Sequence, residues 1–212
     1  MSTTQLFEDI TFTENESYER IISDLITKKY SIVDDFFTLE EVSTLKESLL
    51  IKYEEDSFKK SAIGNYTNQE IDKTIRGDFI LWIDEKKEEP TEQLFFAKVN
   101  SLVSYLNKTC FLGILTKEFH YAIYPTGTFY KRHLDTFQND DRRKLSMVFY
   151  LNEDGWLPEF GGELTLYLDE GDKTILPLPG RVVIFESQVI EHEVKRVMAN
   201  ERLSITGWLK TR

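Results

Sequence analysis

The second half of the chain, from Lys117 onward, alternates short apolar runs with turn-forming residues. Three of these runs, at residues 147–152, 161–167 and 179–185, are rich in Val, Ile, Leu, Phe and Tyr, and Gly, Pro, Asn and Asp recur between them. Short β-branched and aromatic runs bounded by such residues are typical of strands in an antiparallel fold. The pattern therefore predicts a mainly β domain built on a double-stranded β-helix, or jelly roll.

The first half of the chain contains helical patterns. Residues 17–29 have apolar side chains at helical spacing. Thr38 and Glu41 have the spacing of a capping box, which predicts a second helix from that point. Pro90 is expected to begin a third helix with one apolar face. We expect these N-terminal α-helices to buttress one face of the jelly-roll core.

Two segments are predicted to lie outside regular structure. Residues 1 to about 16 are polar and acidic, and we expect them to be loosely ordered. Residues 54–68 are charged and then rich in Gly, Ser and Asn, which is typical of a loop.

Composition limits the partners of the protein. The 212 residues carry a formal net charge of −11, which argues against nucleic acid and anionic membranes, because both bind clustered Lys and Arg. Cys110 is the only cysteine, so no internal disulfide can form and a reducing compartment is expected. No signal peptide or membrane-spanning run is evident. These features predict a cytoplasmic protein and leave its oligomeric state open.

A candidate metal site begins with His133 and Asp135. Residues two apart on a strand project from the same face, so these two side chains can share one ion. His192 offers a third ligand. Two imidazoles and one carboxylate are the donor set of non-haem Fe(II) oxygenases, which keep positions open for substrate and oxygen. A His-x-Asp pair alone is a weak signal, and the spacing does not identify iron, because other divalent ions also bind such donors.

The order of the remaining segments extends this prediction. The 133–135 pair is followed by the apolar runs described above, then by His192, and then by a strand at 202–208. This series resembles the 2-oxoglutarate- and Fe(II)-dependent dioxygenases, specifically their prolyl 4-hydroxylase branch. The segment 75–83, Ile-Arg-Gly-Asp-Phe-Ile-Leu-Trp-Ile, resembles one in the oxygen-sensing (hypoxia-inducible-factor type) prolyl hydroxylases and their bacterial relatives.

The resemblance begins at about Ser31 and continues to the C-terminus. It implies a partly helical N-terminal extension at residues 1–30 and an Fe(II)/2-oxoglutarate dioxygenase domain at residues 31–212.

The resemblance also implies a 2-oxoglutarate site. Arg202 would pair with the distal carboxylate of the oxoacid, for which a guanidinium has matching geometry, and Tyr150 would donate a hydrogen bond to the same group. Tyr124 would reach the oxoacid from the strand that leads into the metal ligands. Thr206 and Trp208 share a face with Arg202 by strand alternation and are expected in or near the pocket. Its apolar wall is expected at Val148, Leu164 and Val194. The residues implied as catalytic are His133, Asp135, His192 and Arg202.

A substrate loop is implied at Arg76 and Asp78, which match a loop that covers the site near the target peptide. Asp78 is predicted to pair with Arg143, which precedes the 147–150 strand. The alternative interpretation of this Arg-Gly-Asp sequence is a surface loop without a role. The remaining histidine, His120, is interpreted as structural.

Together these features predict a dioxygenase that uses Fe(II), 2-oxoglutarate and O2, with ascorbate as the expected reductant. It would hydroxylate a prolyl residue in a protein or peptide and release succinate and CO2. Two alternatives stay open: a hydroxylase of a free amino acid or small metabolite, and a metal- or oxoacid-binding module without turnover. A long loop at 54–78 over an open groove would favour a peptide as the substrate. A closed pocket would favour a small metabolite.

Overall fold

A computed structural model describes residues 13–55, 59–60, 75–87, 89–136 and 142–211. The helices are α1 (Glu16–Lys28), α2 (Leu39–Glu54) and α3 (Pro90–Cys110), with a short 3-10 turn at Pro158–Phe160. The strands are β1 (Tyr30–Val33), β2 (Lys59–Lys60), β3 (Phe79–Ile83), β4 (Thr116–Tyr124), β5 (Tyr130–His133), β6 (Arg143–Tyr150), β7 (Leu164–Tyr167), β8 (Lys173–Ile175), β9 (Val182–Glu186), β10 (Glu191–Val194) and β11 (Arg202–Lys210).

The helix ends follow the local sequence signals. The Thr38 hydroxyl accepts the backbone N–H of Glu41 at 3.2 Å, and the Glu41 carboxylate accepts the backbone N–H of Thr38 at 2.8 Å. This reciprocal pair confirms the predicted capping box. Pro90 occupies the first turn of α3, where its missing N–H costs no intrahelical bond.

Within the described residues the strands form two antiparallel sheets. The larger sheet has seven strands in the order β1-β9-β6-β11-β4-β3-β2, and the smaller has four in the order β5-β10-β7-β8. Strands that are neighbours in a sheet are often far apart in the chain, as expected for a jelly roll. The mainly β architecture with flanking helices is the one predicted from the sequence.

Two apolar cores lie on opposite faces of the larger sheet. On the helix side, Phe95 and Leu102 of α3 pack with Phe119, Phe149 and other side chains from the strands. The second core fills the space between the two sheets. Its members are Ala122, Tyr124, Val148, Tyr150, Leu164, Leu166, Ile175, Val183, Phe185, Ile190, Val194 and Val197.

Strand β11 shows how one sequence supplies both cores. Leu203, Ile205 and Leu209 face the helix-side core. Arg202 and Ser204 alternate with them and are buried on the other face. Strand β11 therefore contributes polar side chains to the interior between the sheets and apolar side chains to the helix-side core.

The N-terminal predictions are only partly covered by the described residues. Helix α1 contributes Ile21 and Leu25 to the helix-side core, and the division of the chain at residue 30 stays a prediction. Residues 1–12 and most of the predicted 54–68 loop lie outside the described ranges. Of the helices that are described, none has the length and apolar character needed to span a membrane.

Candidate active site

The three predicted metal ligands meet beside the smaller sheet, with two histidines on its strands and Asp135 two residues beyond the end of β5. His133 ends β5, and His192 on β10 is its partner in the strand register. One donor atom from each of these histidines and from Asp135 lies within 4.8 Å of the other two. Asp135 places Oδ1 3.5 Å from Nε2 of His133 and Oδ2 3.5 Å from Nε2 of His192. Antiparallel pairing of β5 with β10 thus brings together histidines that are distant in the sequence.

Both histidines direct Nε2 towards the shared point because Nδ1 is engaged elsewhere. Nδ1 of His133 lies 2.7 Å from the carbonyl oxygen of Lys131, and Nδ1 of His192 lies 3.3 Å from that of Ile190. An Nδ1–H that donates to a carbonyl leaves the Nε2 lone pair available to a metal. Burial lowers the pKa of His192 to about 4, so its imidazole is neutral near pH 7, as metal binding requires.

Asp135 is held as a carboxylate. The Ser146 hydroxyl donates to Oδ2 at 2.6 Å, and the Ser187 hydroxyl lies 2.8 Å from that of Ser146. Burial favours the protonated acid, but the imidazoles of His192 and His133 and the hydrogen bond from Ser146 outweigh it. They hold the pKa of Asp135 well below its usual range. One carboxylate anion beside two imidazoles fits a divalent transition metal.

Arg202 is a buried cation in the same interior. Its residue is 1% exposed, and its guanidinium carbon lies 4.9 Å from the ring centre of Tyr124 and 5.1 Å from that of Tyr150. Nη1 donates to the Ser204 hydroxyl at 3.2 Å. Nε of Arg202 and the hydroxyl of Tyr150 are both buried without a hydrogen-bond partner among the described residues.

These orphaned groups indicate what the pocket binds. A buried guanidinium without an anionic partner is costly unless a ligand supplies the missing charge. Arg202 forms no ion pair with any residue in the described ranges. The distal carboxylate of 2-oxoglutarate would satisfy Nε of Arg202 and the Tyr150 hydroxyl together. The residues present therefore fit this cosubstrate.

Three of the other predicted pocket residues, Val148, Leu164 and Val194, belong to the core between the sheets. Val148 lies opposite Thr206 across β6 and β11, while Leu164 and Val194 are partners on the smaller sheet. Trp208 is buried, and its indole N–H has no hydrogen-bond partner within the described part of the chain. The strand register thus brings side chains from both sheets to one interior.

Arg76 and Asp78 of the predicted substrate loop pair with each other. Arg76 donates from Nε and Nη2 to the two carboxylate oxygens of Asp78, at 2.8 and 2.6 Å. Asp78 is only 1% exposed. Residues two apart in an extended segment project the same way, which explains this local pair.

Arg143 forms an ion pair with Glu118. Its guanidinium donates to the Glu118 carboxylate at 2.7 and 3.1 Å, and its pairing with Asp78 stays a prediction. Glu118 lies on β4, which is separated from β6 only by β11, so the two side chains are close across the sheet. Nη1 of Arg143 also donates to the main-chain oxygen of Asp135 at 3.1 Å. Arg143 therefore lies beside a metal ligand.

His120 is buried within an aromatic group on the inner face of the larger sheet. Its ring centre lies 5.1 Å from that of Trp82 and 5.7 Å from that of Trp208. Burial and the nearby charges of Arg76 and Arg143 lower the pKa of His120 to about 4. This packing agrees with the structural role assigned to His120.

Sequence reasoning missed the residues that support the ligands. Ser146 and Ser187 hold the carboxylate, and the ring of Tyr130 stacks on His133 with centroids 3.6 Å apart. Ser146 alternates with Val148 and Tyr150 on β6, and this spacing was the available signal that it faces the site.

Comparison with known proteins agrees with this geometry. Residues 119–210 match the 2OG-Fe(II) oxygenase superfamily. A *Pseudomonas putida* prolyl-4-hydroxylase structure is 35% identical, with a TM-score of 0.82 over 92% of this chain and 99% of that chain. A *Trichoplax adhaerens* prolyl hydroxylase, solved with a hypoxia inducible factor peptide fragment, is 28% identical, with a TM-score of 0.81 over 92% and 89%.

Curated relatives are longer. Human Egl nine homolog 1 is 32% identical over 192 residues, which are 84% of this chain and 42% of that protein. The hypoxia-inducible factor prolyl hydroxylase of *Caenorhabditis elegans* is 27% identical over 90% of this chain and 28% of that protein. The chain thus spans less than half the length of these two relatives. With its His-Asp-His triad, its buried arginine and its 35% identity to a bacterial enzyme over that enzyme's whole length, the chain belongs to the prolyl 4-hydroxylases of the 2OG-Fe(II) oxygenase superfamily.

Proposed function

We propose that the protein is an Fe(II)- and 2-oxoglutarate-dependent dioxygenase that hydroxylates a prolyl residue in a protein. One observation carries the proposal: a buried arginine without an anionic partner among the described residues shares the inter-sheet interior with a two-histidine, one-aspartate metal triad. The triad alone would fit several metalloproteins, and the arginine alone would fit many anions. Together they fit a metal and a dicarboxylic oxoacid.

The residues of the chain would divide the work as follows. His133, Asp135 and His192 would hold iron, which together with 2-oxoglutarate supplies the oxidative chemistry that converts a C–H bond to C–OH. Arg202 and Tyr150 would bind the far carboxylate of the cosubstrate and so fix its reactive end relative to the triad. The overall balance is substrate, O2 and 2-oxoglutarate to hydroxylated substrate, succinate and CO2.

The apolar walls have a separate role. Val148 from the larger sheet and Leu164 and Val194 from the smaller one are buried in the inter-sheet core. Side chains of this type exclude water from the interior. A dry pocket also strengthens the attraction between the guanidinium and the cosubstrate carboxylate.

The prolyl and protein parts of the proposal are supported by relatives. The *T. adhaerens* structure, which matches this fold over most of both chains, contains a peptide fragment. In this chain the Arg76–Asp78 pair lies beside β5, the strand of a metal ligand. We take residues 31–212 as the dioxygenase domain and the cytoplasm as its location. The 54–78 loop, which would distinguish an open groove from a closed pocket, falls largely outside the described residues.

Mass spectrometry of a proline-containing peptide library tests the function. The purified protein would be incubated with Fe(II), 2-oxoglutarate, ascorbate and the library in the presence of ¹⁸O2. The expected result is one labelled oxygen on a prolyl residue, accompanied by succinate and absent with Asp135→Ala. Succinate coupled to oxidation of free proline or another free amino acid, with no peptide modified, would favour the metabolite alternative.

A further inference from the structure

His133 belongs to a stack of three planar groups. The Tyr130 ring lies on the His133 imidazole with centroids 3.6 Å apart and planes inclined by 18°. On the same tyrosine ring, the guanidinium carbon of Arg76 lies 4.3 Å from the centroid. Tyr130 therefore connects the Arg76 cation to a metal ligand through two ring contacts.

The outer end of this stack is held firmly. Both carboxylate oxygens of Asp78 accept hydrogen bonds from Arg76, at 2.8 and 2.6 Å, so the guanidinium plane is fixed. The backbone is fixed as well: the Gly77 N–H donates to the Phe129 carbonyl at 3.1 Å, and the Lys131 N–H donates to the Ile75 carbonyl at 2.9 Å. Segment 75–78 therefore pairs with the strand that carries His133.

His133 needs such support more than the other two ligands. Its side chain is 17% exposed, compared with 8% for Asp135 and 7% for His192. Its Nδ1 contact with the Lys131 carbonyl sets the tautomer, but a single hydrogen bond lets the ring swing about that contact. A parallel ring at 3.6 Å restricts that swing.

The ion pair of Arg76 with Asp78 has an electrostatic consequence for the metal site. An unpaired guanidinium beside Tyr130 would repel a dication bound by His133. The carboxylate of Asp78 neutralises that charge and fixes the position of the guanidinium beside the ring. The stack thus supplies orientation without adding net positive charge near the triad.

We propose that Tyr130, backed by the Arg76–Asp78 pair, is a positioning residue that holds the imidazole plane of His133 in its metal-binding orientation before the metal arrives. The inference rests on the proposed function only in taking His133, Asp135 and His192 as a metal site. It assigns to segment 75–78 a role in metal affinity that is separate from any contact with substrate.

The test measures metal binding in the absence of 2-oxoglutarate and substrate. Metal-free protein is titrated with Co(II), and the dissociation constant and the ligand-field spectrum are recorded for wild type, Tyr130→Leu and Tyr130→Phe. Tyr130→Leu should weaken binding by about 10-fold, in the range found when groups supporting a ligand are removed, and should alter the spectrum. Tyr130→Phe keeps the ring and should bind Co(II) as wild type does.

Arg76→Lys provides an independent variant if Tyr130→Leu does not fold. Lysine can keep the charge pair with Asp78 but cannot stack as a plane, so its Co(II) affinity should fall by less than that of Tyr130→Leu, and its spectrum should change in the same direction. Far-UV circular dichroism and thermal unfolding check the fold of each variant.

The outcomes separate the two proposals. If wild type does not bind Co(II) at the triad, the proposed function itself fails. If wild type binds while Tyr130→Leu, or Arg76→Lys in its place, shows the same affinity and spectrum, the positioning role is overturned and the proposed function stands. Equal losses in Tyr130→Phe and Tyr130→Leu would also overturn it, because the hydroxyl rather than the ring would then matter.

Discussion

The two faces of the larger sheet have cores of different character. The helix-side core is made of aliphatic and aromatic side chains, such as Phe95, Phe119 and Phe149, that pack edge to face. The interior between the sheets holds a similar apolar lining but also contains Arg202 and Asp135, both buried. Buried charge costs stability unless it is compensated. The difference indicates that the first core stabilises the fold, while the second gives up stability to build a site.

Removing a metal ligand should have the largest effect on the site and leave the fold intact. Asp135→Ala or His192→Ala is expected to abolish 2-oxoglutarate turnover, since two ligands cannot hold the metal in the triad geometry. The fold should persist, because the helix-side core is untouched. Succinate formation measures the first effect and thermal unfolding the second; turnover similar to wild type in either variant would remove the site assignment.

A cavity in the helix-side core should lower stability and leave the site unchanged. Phe95 is fully buried, and Phe95→Ala is expected to lower the free energy of unfolding by about 3 to 5 kcal/mol. The folded fraction should keep the wild-type KM for 2-oxoglutarate at low temperature. Urea denaturation and steady-state kinetics measure the two quantities, and a large change in KM would mean that the cores are not independent.

Arg202→Met should weaken the binding of 2-oxoglutarate without lowering the stability of the fold. The KM for 2-oxoglutarate is expected to rise by roughly 10- to 100-fold, because charged hydrogen bonds to the carboxylate are lost. The free energy of unfolding should not fall, because the variant removes a buried charge that lacks an anionic partner among the described residues. Ser204→Ala, which removes only a neighbour of the guanidinium, is the matched control and should raise KM much less. An unchanged KM in Arg202→Met would contradict its role.

The serine pair should have a smaller effect on the metal. Ser146→Ala removes the hydrogen bond to Asp135 and is expected to weaken Co(II) binding by about 10-fold. Ser187→Ala should weaken Co(II) binding less, because the Ser187 hydroxyl contacts Ser146 rather than Asp135 itself. Titration of the metal-free protein measures both, and wild-type Co(II) affinity in Ser146→Ala would show that the carboxylate is not oriented through Ser146.

The smallest predicted effect lies on the helix side. Thr38→Ala removes the hydroxyl of the capping box and should cost about 1 kcal/mol of unfolding free energy, with no change in kinetics. Thr44→Ala in the same helix is the control, since its hydroxyl bonds only to a main-chain carbonyl within the helix. Equal destabilisation by the two substitutions would show that the cap has no special role.

Local pattern was enough to predict much of the fold and the site. The His-x-Asp spacing brought His133 and Asp135 to one point, although Asp135 lies beyond the end of β5, and the capping box located the start of α2. These features depend on residues a few positions apart, which the sequence shows directly.

Contacts between distant elements could not be predicted in the same way. The stack of Tyr130 with Arg76 depends on the pairing of segment 75–78 with β5, and the Ser146 contact depends on Asp135 lying against β6. The pairing of Arg143 with Glu118 could not be read from local spacing for the same reason, since Glu118 approaches it across β11. Such register is fixed by the assembled sheets rather than by local spacing.

The central claim is that the triad and Arg202 form one site for iron and 2-oxoglutarate. The most direct test is the visible spectrum of the metal-free protein titrated anaerobically with Fe(II) and 2-oxoglutarate, in wild type, Asp135→Ala and Arg202→Met. A metal-to-ligand charge-transfer band should appear only when both are present, should be missing in Asp135→Ala, and should require more 2-oxoglutarate in Arg202→Met. Bound metal without this band in wild type, or an identical 2-oxoglutarate requirement in Arg202→Met, would contradict the account.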